Sequence, residues 1–223
     1  ETEAEDGGHC WTYENDLLLH ANELTGIPTE VLGEALKEEI NEGRVVAESG
    51  REQGTGNREQ ELRKIYLKSL YYSERDVARR VRAILETPRS FASFDAEKAI
   101  AWWQSRAGFE LAPKQLEALG NSLKSKFSII TGGPGVGKTT IIRALVEIYG
   151  LKKLKVVLAA PTGRAAKRMT ESVGVAAQTI HRLLKWNPVT NKFTFNAENK
   201  LEGNVFIFDE TSMIDVKLAC DLL

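Results

Sequence analysis

Apolar positions between residues 12 and 40 recur at helical spacing. Leu17, Leu18, Ala21 and Leu24 share one face, and Val31, Leu32, Ala35, Leu36 and Ile40 share another, so two amphipathic helices are expected. The stretch "TGIPTE" separates them, with Thr29 as an N-cap and Gly43 as the stop after the second. "RVVAE" and "KIYL" read as short strands joined by the polar, glycine-rich loop "SGREQGTGNREQE". Helix, helix and hairpin in that order describe a small winged-helix-like module. A capped helix follows, beginning at Ser73 in "SERDVARRVRAILE", with Val77, Val81, Ile84 and Leu85 on its apolar face. "TPRSF" interrupts it, and "DAEKAIAWWQSRAG" predicts another helix ending near Gly108. Its Trp102 and Trp103 fit either helix packing or base stacking.

The rhythm changes at Leu111. "LAPKQLEALGNSL" is helical with Pro113 in the first turn. "FSIIT", "KVVLAA" and "NVFIF" are short apolar runs of the kind buried on both faces of a parallel sheet, and a helical stretch follows each of the first two. Such alternation predicts an α/β fold with right-handed crossovers. The expected division is a helical and hairpin module over residues 1–88, a helical linker over 89–110 and an α/β lobe over 111–223.

Composition narrows the classes. Of 223 residues, 42% are hydrophobic and 27% charged, as in a globular protein that buries a core. Thirty basic residues against 31 acidic ones leave a net charge of −1, so a nucleic-acid partner would be met by a local patch rather than an overall field. Cys10 and Cys220 lie far apart without metal-ligand spacing, which points to a reducing compartment. With no signal-peptide pattern and no apolar run near the roughly 18 residues of a membrane span, a cytoplasmic protein without membrane contact is expected. The chain opens on Glu1 rather than Met and reads as an excerpt of a longer protein.

The densest chemistry lies in "IITGGPGVGKTTII". Residues 132–139 fit G-x-x-x-x-G-K-[ST] at every fixed position, between an apolar run and a helical pattern. Glycines let successive backbone N–H groups turn inward on phosphate oxygens at a helix N-terminus. The expected nucleotide cradle is Gly133, Pro134, Gly135, Val136, Gly137, Lys138, Thr139 and Thr140. Lys138 reaches the β- and γ-phosphates, and Thr139 offers its hydroxyl to Mg²⁺. A carboxylate pair should complete the metal site, and "VFIFDETSM" supplies one at the end of an apolar strand. Acids at the C-terminal tip of a parallel strand face the ligand crevice. Asp209 is expected to hold Mg²⁺ through water, and Glu210 to orient and deprotonate the attacking water.

Three segments in order, "GGPGVGKTT", "APTGRAAKRM" and "DETSM", resemble motifs I, Ia and II of superfamily 1 DNA helicases, most closely the RecD-like (RecD/TraA-type) enzymes. "AAQTIHRLL", with Thr179 and His181, is similar to the segment between motifs Ia and II, and "LAPKQLEAL" resembles the adenine-reading element, with Gln115 as its glutamine. The N-terminal region resembles the module of the family's longer branch. This resemblance implies a partial RecA-like P-loop lobe using ATP and Mg²⁺. It also implies a track for single-stranded DNA formed by Thr162, Gly163 and Arg164 together with Thr179 and His181. A second RecA-like lobe of the full-length protein would bring the arginine that stabilises the γ-phosphate. The resemblance further implies 5′-to-3′ travel, and an excerpt that alone is inactive or very weak.

Alternatives remain open on the residues themselves. Gln115 has a reading as a solvated helix residue, and Thr162 to Arg164 as a capped helix start with a basic face. His181 fits a core hydrogen bond as well as a DNA contact. Lys167, Arg168, Arg182 and Lys185 form a basic stripe or are separate surface charges. For the whole chain, a P-loop kinase or nucleotide-driven switch and a non-enzymatic DNA- or protein-binding module are the rival functions.

Overall fold

The computed structural model describes residues 9–53 and 59–223. The chain divides into two compact units, one formed within Glu1–Arg79 with Asp215–Cys220, the other by Arg80–Ile214 with Asp221–Leu223.

In the first unit β1 (Trp11–Tyr13) leads into α1 (Glu14–Thr25) and α2 (Thr29–Asn41), followed by β2 (Val45–Gln53), β3 (Glu59–Leu67) and the start of α3 (Lys68–Glu86). The three strands form an antiparallel sheet in the order β1-β3-β2. The hairpin register runs from Val45↔Leu67 to Gln53↔Glu59. The middle of the expected loop, residues 54–58, lies outside the described residues, whereas its flanks belong to the strands. Thr29 is the first helical residue of α2 rather than its cap, Pro28 taking the cap position, and Gly43 turns the chain at φ 67°. Ser73, expected to start a helix, sits inside α3. The reason is local: β3 ends at Leu67 and Lys68 N–H donates to the Arg44 carbonyl at 3.2 Å, so no loop remains for Ser73 to cap. Leu36, Ile65, Tyr66 and Leu70 are buried in this unit, which also contains most of a short C-terminal helix, Val216–Leu222.

The second unit carries α4 (Ala96–Ala107), α5 (Pro113–Lys124), α6 (Lys138–Leu151), β4 (Val156–Ala160), α7 (Gly163–Val173), β5 (Ala177–Thr179), the short α8 (Ile180–Leu183), the two-residue strands β6 (Trp186–Asn187) and β7 (Lys192–Phe193), and β8 (Val205–Phe208). Asp95 caps α4 by accepting from Lys98 N–H at 3.1 Å. Pro113 opens α5, where its missing N–H costs nothing. The Arg89 guanidinium meets the carbonyls of Leu123 and Lys124 where α5 ends.

The main sheet is parallel, in the order β5-β4-β8. Its register pairs Ala160 with Thr179 on one side and Ala159 with Phe208 on the other. α6 is the central element: Ile141, Ile142, Ala144, Leu145, Val146, Ile148 and Tyr149 are all buried. Ile141, Leu145 and Ile148 join Trp103, Leu111 and Leu119 in one cluster. Ile142 and Val146 meet Leu158 and Met169 in another. A helix apolar most of the way round is one enclosed between layers.

Two expectations need correction here. "FSIIT" forms no ladder among the described residues. Ile130 packs on the core, while Ile129 is 71% exposed. A strand needs a neighbour to exchange hydrogen bonds with, and none of the described strands pairs with this run. Burial on both faces holds for Leu158, Ala159 and Ala160 of β4, but β8 lies at the sheet edge and is half-buried throughout.

Candidate active site

The glycine loop enters α6 through two left-handed residues, Gly135 at φ 76° and Gly137 at φ 86°. Gly137 is the N-cap. Any other residue there would be strained, and its Cβ would run into the side-chain amide of Gln115. A Cβ on Gly132 would stand 2.9 Å from Cγ2 of Val136. The loop is exposed from Gly132 to Val136, and the first four N–H groups of the helix behind it have no intrahelical acceptor. Gly137→Ala is expected to lower stability by about 1–2 kcal/mol from backbone strain alone, measured by urea denaturation against Gly133→Ala, where a Cβ meets nothing within 4 Å.

Side chains brace this loop. Lys138 Nζ donates to the Gly132 carbonyl at 2.5 Å and the Gly133 carbonyl at 2.8 Å. Gln115 is half-buried. Its Nε2 donates to the Val136 carbonyl at 2.9 Å, and its Oε1 accepts from Ala112 N–H at 3.0 Å. Gln115 is therefore engaged with the loop, not solvated. Gln115, Gly132, Gly133, Val136, Gly137 and Lys138 form one connected group. Pro134 and Thr139 are exposed beside it, and Thr140 N–H donates to the Gly137 carbonyl at 3.0 Å.

A second group follows from strand register. Because β5, β4 and β8 are parallel and in step, their carboxyl ends stand side by side. Asp209 comes directly after β8, its N–H donating to the Ala159 carbonyl at 3.1 Å. Its Oδ1 accepts from Glu210 N–H at 3.0 Å. Glu210 is exposed and left-handed at φ 53°, ψ 40°, a conformation uncommon outside glycine and concentrated at functional positions. After β4 comes Thr162, whose Oγ1 accepts from Ala165 N–H at 3.2 Å and caps α7. Gly163 and Arg164 are exposed in the first turn. Thr179 ends β5 and caps α8 in the same way, accepting from Arg182 N–H at 3.2 Å.

His181 is exposed rather than part of the core. Its ring lies 6.4 Å from Trp186 and 5.7 Å from Phe193, which are themselves 4.8 Å apart. Neither aromatic stood out in the sequence, because strands of two residues carry no readable alternation. The turn residues of "NPVTNK" between them were the available signal. Of the basic stripe, Lys167 pairs with Glu171 at 3.9 Å and Lys185 lies 5.1 Å over the Phe195 ring. Trp103 is 2% exposed and its Nε1 donates to Glu147 Oε2 at 2.9 Å, which makes it a core residue. Among the described residues no cluster of three or more His, Cys, Asp or Glu side chains forms a cage for a metal ion, and no helix is long and apolar enough to cross a membrane.

A glycine loop opening a buried helix, on a parallel sheet whose central and edge strands end in a capped basic turn and an acidic pair, defines a partial RecA-like P-loop lobe. A family model described as an AAA domain matches residues 115–223. The ATP-dependent RecD2 DNA helicase of Deinococcus radiodurans is 32% identical over 160 residues, covering 72% of this chain and 22% of that protein. The RecD subunit of the RecBCD enzyme of Haemophilus influenzae is 37% identical over 134 residues, 49% of this chain and 21% of that one. Its counterpart in Mycolicibacterium smegmatis is 31% identical over 183 residues, 71% and 32% respectively. The chain belongs to the RecD-like DNA helicase family, and it spans between about a fifth and a third of the length of these relatives.

Proposed function

We propose that this chain carries the nucleotide-binding part of an ATP-driven DNA helicase, together with part of its single-stranded DNA track. The observation that carries the reading is the shared carboxyl edge of β4 and β8, which gathers the Thr162–Arg164 turn and the Asp209–Glu210 pair in one unit with the glycine loop. The donor set fits a triphosphate: exposed loop amides at a helix N-terminus, one ammonium, and two left-handed glycines, Gly135 and Gly137, that let the backbone turn. ATP with Mg²⁺, when bound, supplies the free energy of phosphoanhydride hydrolysis.

The chain's own groups then have definite tasks. Lys138 exchanges the Gly132 and Gly133 carbonyls for anionic oxygens, a gain in hydrogen-bond strength because both partners are then charged. Thr139 and Asp209 offer oxygens to a cation that takes its remaining ligands from phosphate and water, as Mg²⁺ readily does. Glu210, exposed and fixed by its left-handed backbone, orients a water and accepts its proton. Thr162 holds the start of α7 so that the Gly163 N–H and the Arg164 guanidinium face a nucleic-acid backbone, with Thr179 and His181 alongside. The His181, Trp186 and Phe193 rings suit stacking on unpaired bases. Residues 111–223 carry this chemistry, and a second RecA-like lobe from the longer protein supplies the arginine for the γ-phosphate. By family resemblance, movement is 5′-to-3′.

The test is whether single-stranded DNA stimulates ATP hydrolysis by the longest protein carrying this segment. Phosphorylation of a small acceptor without any DNA response would favour a kinase. Arg164→Ala should weaken single-stranded DNA binding uniformly across sequences and reduce the slope of log K against log salt by about one. Fluorescence anisotropy over a salt series reads both, and an unchanged slope would remove Arg164 from the track.

A further inference from the structure

Gln115 is tied at both ends of its amide. Oε1 accepts from Ala112 N–H, and Nε2 donates to the Val136 carbonyl, 21 positions along the chain. The orientation is unique, because a flipped amide would set N–H against N–H at Ala112 and oxygen against oxygen at Val136. Gly137, next along the loop, has no room for a Cβ because that same amide occupies the space. The phosphate loop is otherwise exposed and glycine-rich, so much of the cost of holding its amides in a binding geometry is conformational entropy.

We propose that Gln115 is a strut for the phosphate loop, joining the first turn of α5 to the Val136 carbonyl and so presetting the curvature that binds phosphate, with or without a base. This rests on the nucleotide reading above but differs from a base-recognition role. An adenine-reading contact would be felt only by ligands that have an adenine. A strut is felt by any polyphosphate, because an ordered loop loses less freedom on binding. The two roles are compatible, since the second Nε2 hydrogen and the second Oε1 lone pair remain for a base. Adenine then engages the same amide that shapes the phosphate site.

Gln115→Glu isolates the strut. It keeps an acceptor for Ala112 N–H, suits the first turn of a helix, and removes the donor to Val136. In the ligand-free chain, the backbone N–H order parameters of Gly133, Gly135, Val136 and Gly137 should fall from about 0.85 toward about 0.6, while those of α4 and the core of α6 stay unchanged. Unaltered loop order parameters would overturn the strut. Calorimetry uses Gln115→Met, which also lacks the donor to Val136 but adds no negative charge beside the cradle. The dissociation constant of magnesium tripolyphosphate, which has no base, should rise roughly three- to tenfold, the equivalent of one lost hydrogen bond, and that of ATP at least as much. A loss confined to ATP would make Gln115 a base reader only and would also overturn the proposal. A wild-type chain that binds neither compound would defeat the nucleotide reading, and the order parameters would still decide the strut.

Discussion

Lys138→Ala should cut ATP turnover by about a hundredfold or more, on the scale seen when a donor to developing negative charge is removed. Lys138 is the one side chain of the glycine loop that carries a positive charge. Without a ligand its ammonium holds the Gly132 and Gly133 carbonyls. Alanine removes the charge that would meet the phosphates and releases two carbonyls that then point, partially negative, into the same cradle. Both changes oppose phosphate binding. Lys138→Arg is not a neutral control, because a planar guanidinium is too broad to occupy a compact ammonium's place. Turnover should be measured with and without single-stranded DNA, with a thermal melt to establish that the variant is folded. Near wild-type turnover by a folded Lys138→Ala protein would overturn the assignment of the loop.

Trp103→Ala should cost about 3–5 kcal/mol of stability. Its side chain is among the largest fully buried ones. The indole stands edge-on to Phe109 at 5.7 Å, and its N–H is bonded to Glu147, which in turn pairs with Arg143 at 2.9 Å. Alanine leaves a cavity in the cluster that supports α6, and also removes the donor from a partly buried carboxylate. Against a total stability of roughly 5–15 kcal/mol for an ordinary domain, this loss is large enough to bring the second unit close to unfolding. Trp103→Phe retains most of the packing and loses the hydrogen bond, worth about 1–2 kcal/mol. Urea denaturation followed by α6 hydrogen exchange separates the two variants. Unchanged stability in Trp103→Ala, with weaker DNA binding, would return this residue to the base-stacking role that burial argues against.

The α/β alternation of the second unit was legible because each element is long enough to show its period. Helix α6 carries a run of buried apolar residues behind a loop whose glycines have a mechanical purpose, and both features are local. What could not be read were properties that arise only when distant segments meet. "FSIIT" has the composition of a strand, yet strand formation depends on a neighbour that composition cannot supply. β1 was invisible because three residues set directly against a helix give no alternation; it exists through its pairing with Tyr66, Ile65 and Lys64. Ser73 looked like a cap because serine followed by an acid is a local signal, and the hairpin overrode it by running straight into the helix. Within the candidate site, motif spacing is what singles out the loop residues and the acidic pair as candidates. The bond from Gln115 to Val136 joins positions far apart in sequence and needed coordinates. So did the alignment of three strand ends, which follows from a parallel register that no single segment encodes.

Among the described residues strand β8 has a ladder on one side only, with β4. Along Val205–Phe208 its outward backbone groups therefore offer a short template on which another extended segment can be laid. Four residues make a weak template, and the charged Lys200 and Glu202 precede it. The sheet nonetheless ends on its most apolar short strand, the one that delivers Asp209. Anything that lies down beside Val205–Phe208 would also stiffen the residue from which the acidic turn departs, so the mechanical support of that turn depends on what occupies the open flank.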